Sequence, residues 1–139
     1  MPENMIAGCR VLVVEDDYFL ADEMRGALRA AGATVLGPVP SVEAALDILE
    51  ENTPDAAVLD VNLNGEMSFP IADALAASSV PFLFVTGYDQ VALPARHAAV
   101  RWLRKPVQVS ETLWELRLLL SAAQSGRSEG PERVQAAIS

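Results

Sequence analysis

Residues 56–63 read Ala56-Ala57-Val58-Leu59-Asp60-Val61-Asn62-Leu63. Four apolar residues in succession, with no polar alternate, describe a strand buried on both faces. Such a strand belongs inside a parallel sheet with helices above and below it. Asp60 closes the run, and an acid there is costly to bury unless its charge is used.

Working outward, similar β-rich runs occupy 10–14, 34–36, 81–85 and 101–103. Between them lie Ala/Leu-rich stretches with helical spacing, such as Leu20, Met24 and Leu28 at i, i+4 and i+8. Ser41, Ser68 and Ser110 precede three such stretches and are expected as N-caps, with Asp17 as the cap of the first. Gly32 falls where the first helix should stop. Five strands alternating with helices predict an α/β domain, a five-stranded parallel sheet with helices on both faces. The stretch between the fourth and fifth strands contains Pro94, so only a short or irregular helix is expected there.

In an open parallel sheet, ligands bind outside the carboxyl ends of the strands. The first strand ends in Glu15-Asp16-Asp17, the third in Asp60 with Asn62 beyond, the fourth in Thr86-Gly87-Tyr88, and the fifth in Lys105-Pro106. Converging carboxylates repel one another unless a cation neutralises them. Oxygen ligands without His or Cys favour Mg²⁺, or Mn²⁺ in its place. A lysine and a hydroxyl on the same rim suit the oxygens of a phosphoryl group. A carboxylate can carry such a group as an acyl phosphate, and the transfer needs mainly positioning and charge neutralisation.

The strand ends together resemble the receiver domain of two-component response regulators, over about residues 8–123. The motifs that carry the resemblance are Val13-Val14-Glu15-Asp16-Asp17, Leu59-Asp60-Val61-Asn62-Leu63, Val85-Thr86-Gly87 and Arg104-Lys105-Pro106. It implies a flavodoxin-like doubly wound sheet of strand order 2-1-3-4-5. It implies Asp60 as phosphoryl acceptor, with Glu15, Asp16, Asp60 and the backbone carbonyl of Asn62 around Mg²⁺. Lys105 would pair with the phosphoryl oxygens and Thr86 would report their presence. The donor would be a histidine kinase or phosphotransfer protein, and the readout an unidentified downstream protein. Such a domain is not an enzyme beyond self-catalysed phosphoryl acceptance and autodephosphorylation.

The sequence departs from the family in three places. The usual proline after the acceptor is missing from Leu63-Asn64-Gly65-Glu66. Phe84-Val85-Thr86-Gly87-Tyr88 resembles a Phe-x-Thr-Gly subgroup of alphaproteobacterial signalling. The switch aromatic falls on Trp102, with Tyr88 or the Gly87 hinge as substitutes. Trp114 and Leu118 are candidates for a partner or dimer surface, so a monomer or weak homodimer is expected. His97 reads as an exposed helix residue and Cys9 as a small packed side chain.

Three other functions compete with this reading. A haloacid-dehalogenase-like phosphatase would place Asp-x-Asp on the first strand. A flavodoxin-like flavin carrier would place a Ser/Thr/Gly-rich phosphate loop there. A receiver-like interaction module acting without phosphorylation keeps the same residues.

The chain has 139 residues, 10 basic and 19 acidic, for a net charge of −9. That is one domain's length, and 51% hydrophobic content suffices for a core without staples. The acidic balance excludes nucleic acid and anionic membrane surfaces as partners. One cysteine excludes an internal disulfide, and no signal peptide or span-length apolar run is present, which predicts a soluble cytoplasmic domain. Residues 124–139 turn polar and are expected as a disordered or loosely attached tail.

Overall fold

The computed structural model describes residues 6–87 and 93–137, with side chains described as far as residue 123. In chain order the elements are β1 (Arg10–Val14), α1 (Tyr18–Ala30), β2 (Thr34–Val39), α2 (Val42–Glu51), β3 (Ala56–Asp60), β4 (Asn62–Leu63), β5 (Glu66–Met67), α3 (Phe69–Ala77), β6 (Phe82–Thr86), β7 (Trp102–Arg104) and α4 (Val109–Ala137). Five strands form one parallel sheet in the order β2-β1-β3-β6-β7. Counting only these five, the order is the expected 2-1-3-4-5.

Every residue of β3 and of β6 is buried, as the unbroken apolar runs require. Alternate residues serve opposite faces. Val11, Val13, Val58, Leu83 and Val85 pack with Met24 and Leu28 of α1 and with Leu113, Leu116 and Leu120 of α4. Leu12, Val14, Leu59, Phe82 and Phe84 pack with Val42 and Ala45 of α2 and Ile71 and Leu75 of α3. The two cores leave the carboxyl edge of the sheet as the place where polar side chains gather.

Local signals act largely as read. Asp17 Oδ1 accepts the backbone N–H groups of Phe19 and Leu20, and Ser41 Oγ accepts that of Ala44. Gly32, at φ +93°, ends α1. There the Ala33 N–H donates to Leu28 O at 3.0 Å and the Gly32 N–H to Arg29 O at 3.0 Å, which is the Schellman pattern. Two expected caps differ. Ser68 precedes α3, but its buried hydroxyl makes no cap bond, and Pro70 instead presets the first turn. Ser110 lies inside α4, which starts one residue earlier at Val109.

Between β6 and β7 the described residues form only a short 3₁₀ turn, Ala95–His97, in line with Pro94. His97 corrects the expectation of exposure. It is 2% exposed, and its Nε2 lies 2.8 Å from Asp73 Oδ1. Its ring stacks on Phe69 at 6.3 Å between centroids and meets the edges of Phe82 and Phe84. Arg96 reaches the same carboxylate through two bonds, to Oδ1 and Oδ2 of Asp73. The 3₁₀ turn thus folds inward, because three phenylalanines and an acid offer His97 more than water does. Replacing His97 with Ala should lower stability by about 2–4 kcal/mol, the cost of emptying a packed aromatic site. Urea unfolding of the two proteins measures it.

Helix α4 continues to Ala137, through the polar stretch expected as a loose tail. Once its first turns are anchored by Leu113, Leu116 and Leu120, each added residue extends a helix already nucleated. Among the described residues no helix is long and apolar enough to cross a membrane.

Candidate phosphoryl and cation site

The carboxyl ends of β1, β3, β6 and β7 meet because parallel pairing sets them level. Asp60 sits opposite Val85 across β3 and β6, and Thr86 opposite Arg104 across β6 and β7. The Lys105 N–H donates to Thr86 O at 2.7 Å, tying the ends of β6 and β7 together. From there the Lys105 ammonium reaches back over the edge. It donates to Asp60 Oδ2 at 3.0 Å and to Glu15 Oε2 at 3.0 Å.

Glu15, Asp16 and Asp60 each place a carboxylate oxygen within 4.8 Å of the others. Glu15 and Asp60 are buried, at 8% and 5% exposure, while Asp16 is partly open. Burial pushes Glu15 from its usual 4.5 to about 7, the charge of Asp60 adding to the effect. The Asp17 N–H and Lys105 hydrogen bonds pull the other way. Asp60 is raised by burial, against the opposing pull of Lys105. Burial lowers Lys105, but its bonds to Asp60 and Glu15 prevail and hold it above its ordinary value. One ammonium therefore faces more carboxylate than it neutralises, and the all-oxygen donor set fits a hard divalent cation.

An open polar pocket of about 710 Å³ lies over these groups, lined by Asp16, Asp60, Asn62, Asn64, Gly87 and Lys105 among others. Asn62 donates its N–H to Asp60 Oδ1 at 3.2 Å, and its side-chain oxygen accepts the Gly65 N–H at 2.6 Å. That amide oxygen is thereby engaged in the turn. Thr86 is 3% exposed and buried beside the pocket, whereas its neighbour Gly87 lines it. Trp102, on β7 opposite Phe84, is 46% exposed. Trp114 and Leu118 stand exposed on α4, away from the pocket lining. Tyr88 lies outside the described residues.

The pocket wall formed by Asn64 and Gly65 was not expected from the sequence. It comes from the β4–β5 hairpin, whose turn places both residues at positive φ, +54° and +94°. The signal was present, since Asn-Gly between short extended segments is a strong hairpin marker. It also accounts for the missing proline, whose ring fixes φ near −65° and forbids either position.

Comparison with known proteins decides the family. The response regulator receiver domain model matches residues 11–117. The chain belongs to that family. SdrG from Sphingomonas melonis Fr1, a solved structure, is 37% identical, with a TM-score of 0.70 over 81% of this chain and 97% of that one. The sensory transduction protein LytT of Bacillus anthracis is 33% identical over 120 residues, 84% of this chain and 49% of LytT. A CheY-like receiver domain from Methanospirillum hungatei JF-1 shares the fold, with a TM-score of 0.75 at 21% identity, over 86% of this chain and 98% of that one. The chain spans about half the length of the curated relatives it matches. Membership in the receiver family sets aside the phosphatase and flavin-carrier readings. Receiver domains of this family act in two-component signalling as phosphoacceptors rather than as enzymes.

Proposed function

We propose that this receiver accepts a phosphoryl group on Asp60 from a histidine kinase or phosphotransfer protein. The observation that carries the reading is Lys105 Nζ, 3.0 Å from both Asp60 and Glu15, above the only buried acids at the sheet edge among the described residues. A carboxylate oxygen of Asp60 attacks the donor phosphorus, and a P–O bond forms as the donor's P–N bond breaks. Glu15, Asp16, Asp60 and the Asn62 carbonyl would hold Mg²⁺, or Mn²⁺ in its place. Such a cation supplies charge neutralisation for the incoming phosphoryl oxygens. Lys105 leaves its ion pair with Asp60 for the new oxygens, and Thr86 and Gly87 close on them from β6.

The added charge sits at the ends of β3, β6 and β7, so the readout belongs to the surface those ends control. In this reading Trp102 or the Gly87 hinge transmits it, with Tyr88 as a further candidate. Trp114 and Leu118, one helical turn apart on α4, offer a surface for a downstream protein or a second copy. The Phe84-Val85-Thr86-Gly87-Tyr88 motif supports membership in the Phe-x-Thr-Gly subgroup. A cytoplasmic location goes with this reading.

The direct test is incubation with acetyl phosphate and Mg²⁺, read by intact mass as the gain of one phosphoryl group. A chelator should prevent it. For the readout, Lys105→Ala should keep the fold and Mg²⁺ binding but uncouple the mark from partner choice. In a pull-down, the ratio of partner retained with and without beryllofluoride should fall toward one in the variant. Switching of normal size in Lys105→Ala would remove Lys105 from the mechanism. A wild-type partner retained equally in both states would favour a module that works without phosphorylation.

A further inference from the structure

Thr112, on the first turn of α4, is fully buried, and its hydroxyl has no protein hydrogen-bond partner. A helical threonine can place its hydroxyl on a carbonyl about one turn back, such as the one four residues earlier. Here that carbonyl, on Gln108, already accepts the N–H groups of Glu111 at 2.9 Å and Thr112 at 3.2 Å. Both lone pairs are thus spoken for. A buried hydroxyl left without a bond keeps the full cost of its desolvation, so a partner is expected.

Thr112 lines a small cavity between α4, α1 and the sheet, of about 10 Å³. Most of its walls are apolar, among them Val13, Met24, Val58 and Val85. The one other polar wall is Glu15. That size is the lower edge of what a single water occupies, and a buried water needs two or more polar partners. Asp17 N–H and Lys105 Nζ both fall on Glu15 Oε2, at 3.1 and 3.0 Å, and the Asp60 carboxyl is a third hydrogen-bonding neighbour, so of the carboxylate's roughly four lone-pair sites one is left for a water.

We propose that one buried water bridges the Thr112 hydroxyl and the Glu15 carboxylate, which makes Thr112 a positioning residue for the cation site. The inference rests on the reading of Glu15 as part of that site. Through the water, the first turn of α4 is fastened to the underside of the pocket. The orientation of Glu15 then depends on a helix that touches no phosphoryl oxygen. A dry cavity would leave Glu15 held from above only.

The test combines a crystal structure of the wild-type chain with Mg²⁺ titration of two variants. The structure should show an ordered water within hydrogen-bond distance of Thr112 Oγ1 and a Glu15 carboxylate oxygen. Thr112→Val keeps the shape and removes the hydroxyl, and should weaken Mg²⁺ binding about threefold to tenfold. Thr112→Ser keeps the hydroxyl and should bind within about twofold of wild type, which loss of packing alone would not achieve. Circular dichroism checks that both variants fold. An empty cavity, or a valine variant that binds Mg²⁺ as well as wild type, overturns the proposal. If the wild type binds no Mg²⁺, the cation site itself falls and the positioning role with it, while the density still decides the water.

Discussion

Asp60→Asn should fold normally and take up no phosphoryl group from acetyl phosphate and Mg²⁺, a loss of several orders of magnitude in labelling. The amide is nearly the shape of the carboxylate, so it fits the end of β3 and can still accept the Asn62 N–H now bound to Oδ1. What disappears is the anionic nucleophile, and a neutral amide oxygen does not form a stable acyl phosphate. Stability should hold or rise, because Asp60 is buried with its pKa raised and its charge also pushes Glu15 up. Intact mass and a denaturant titration on the same sample separate the two effects. A phosphoryl adduct of wild-type extent on the Asn variant would mean that the acceptor is another residue. Labelling lost together with the fold would instead make Asp60 a structural acid.

The fold was legible because each strand carries its own evidence. The runs at β1, β3 and β6 have no polar alternate, and that pattern belongs to strands covered on both sides. The site was legible because parallel strands deliver their last residues to one edge, so Glu15, Asp60 and Lys105 converge without any need to know the loops. What stayed hidden depends on contacts distant in sequence. Nothing around His97 announces three phenylalanines from α3 and β6 waiting to enclose it. The burial of Thr112 likewise follows from how α4 lies on the sheet, since a threonine in a first turn reads as exposed. The β4–β5 hairpin is a different kind of miss. Its Asn-Gly marker was in plain view, but two-residue strands are too short to show alternation.

The metal-free protein should lose stability as pH rises from about 5 to about 7.5, by about 2 kcal/mol or several degrees in Tm, and Mg²⁺ should restore much of it. The sign follows from Glu15, whose pKa stands at about 7 in the folded chain against a usual 4.5. Below the lower value the carboxyl is protonated in both states and its contribution is complete. Between the two values the folded state keeps a proton that the unfolded state has released, so each step upward in pH favours unfolding. Above the upper value the loss is finished. Asp60, raised by burial, works in the same direction. Lys105 is raised from 10.5, so its contribution is lost only at alkaline pH, outside this window. Asp73 is lowered from 3.8 by Arg96 first of all, and matters only in stronger acid. A divalent cation takes the place of the missing proton, so its affinity should climb over the same interval in which the metal-free protein weakens. Thermal melts with a chelator and with saturating Mg²⁺ across that interval give both slopes. Glu15→Gln should flatten the chelator series, since an amide has no proton to lose there. If the variant keeps the wild-type slope, the pH dependence arises from acids elsewhere in the chain, and Glu15 is not the group that the cation relieves.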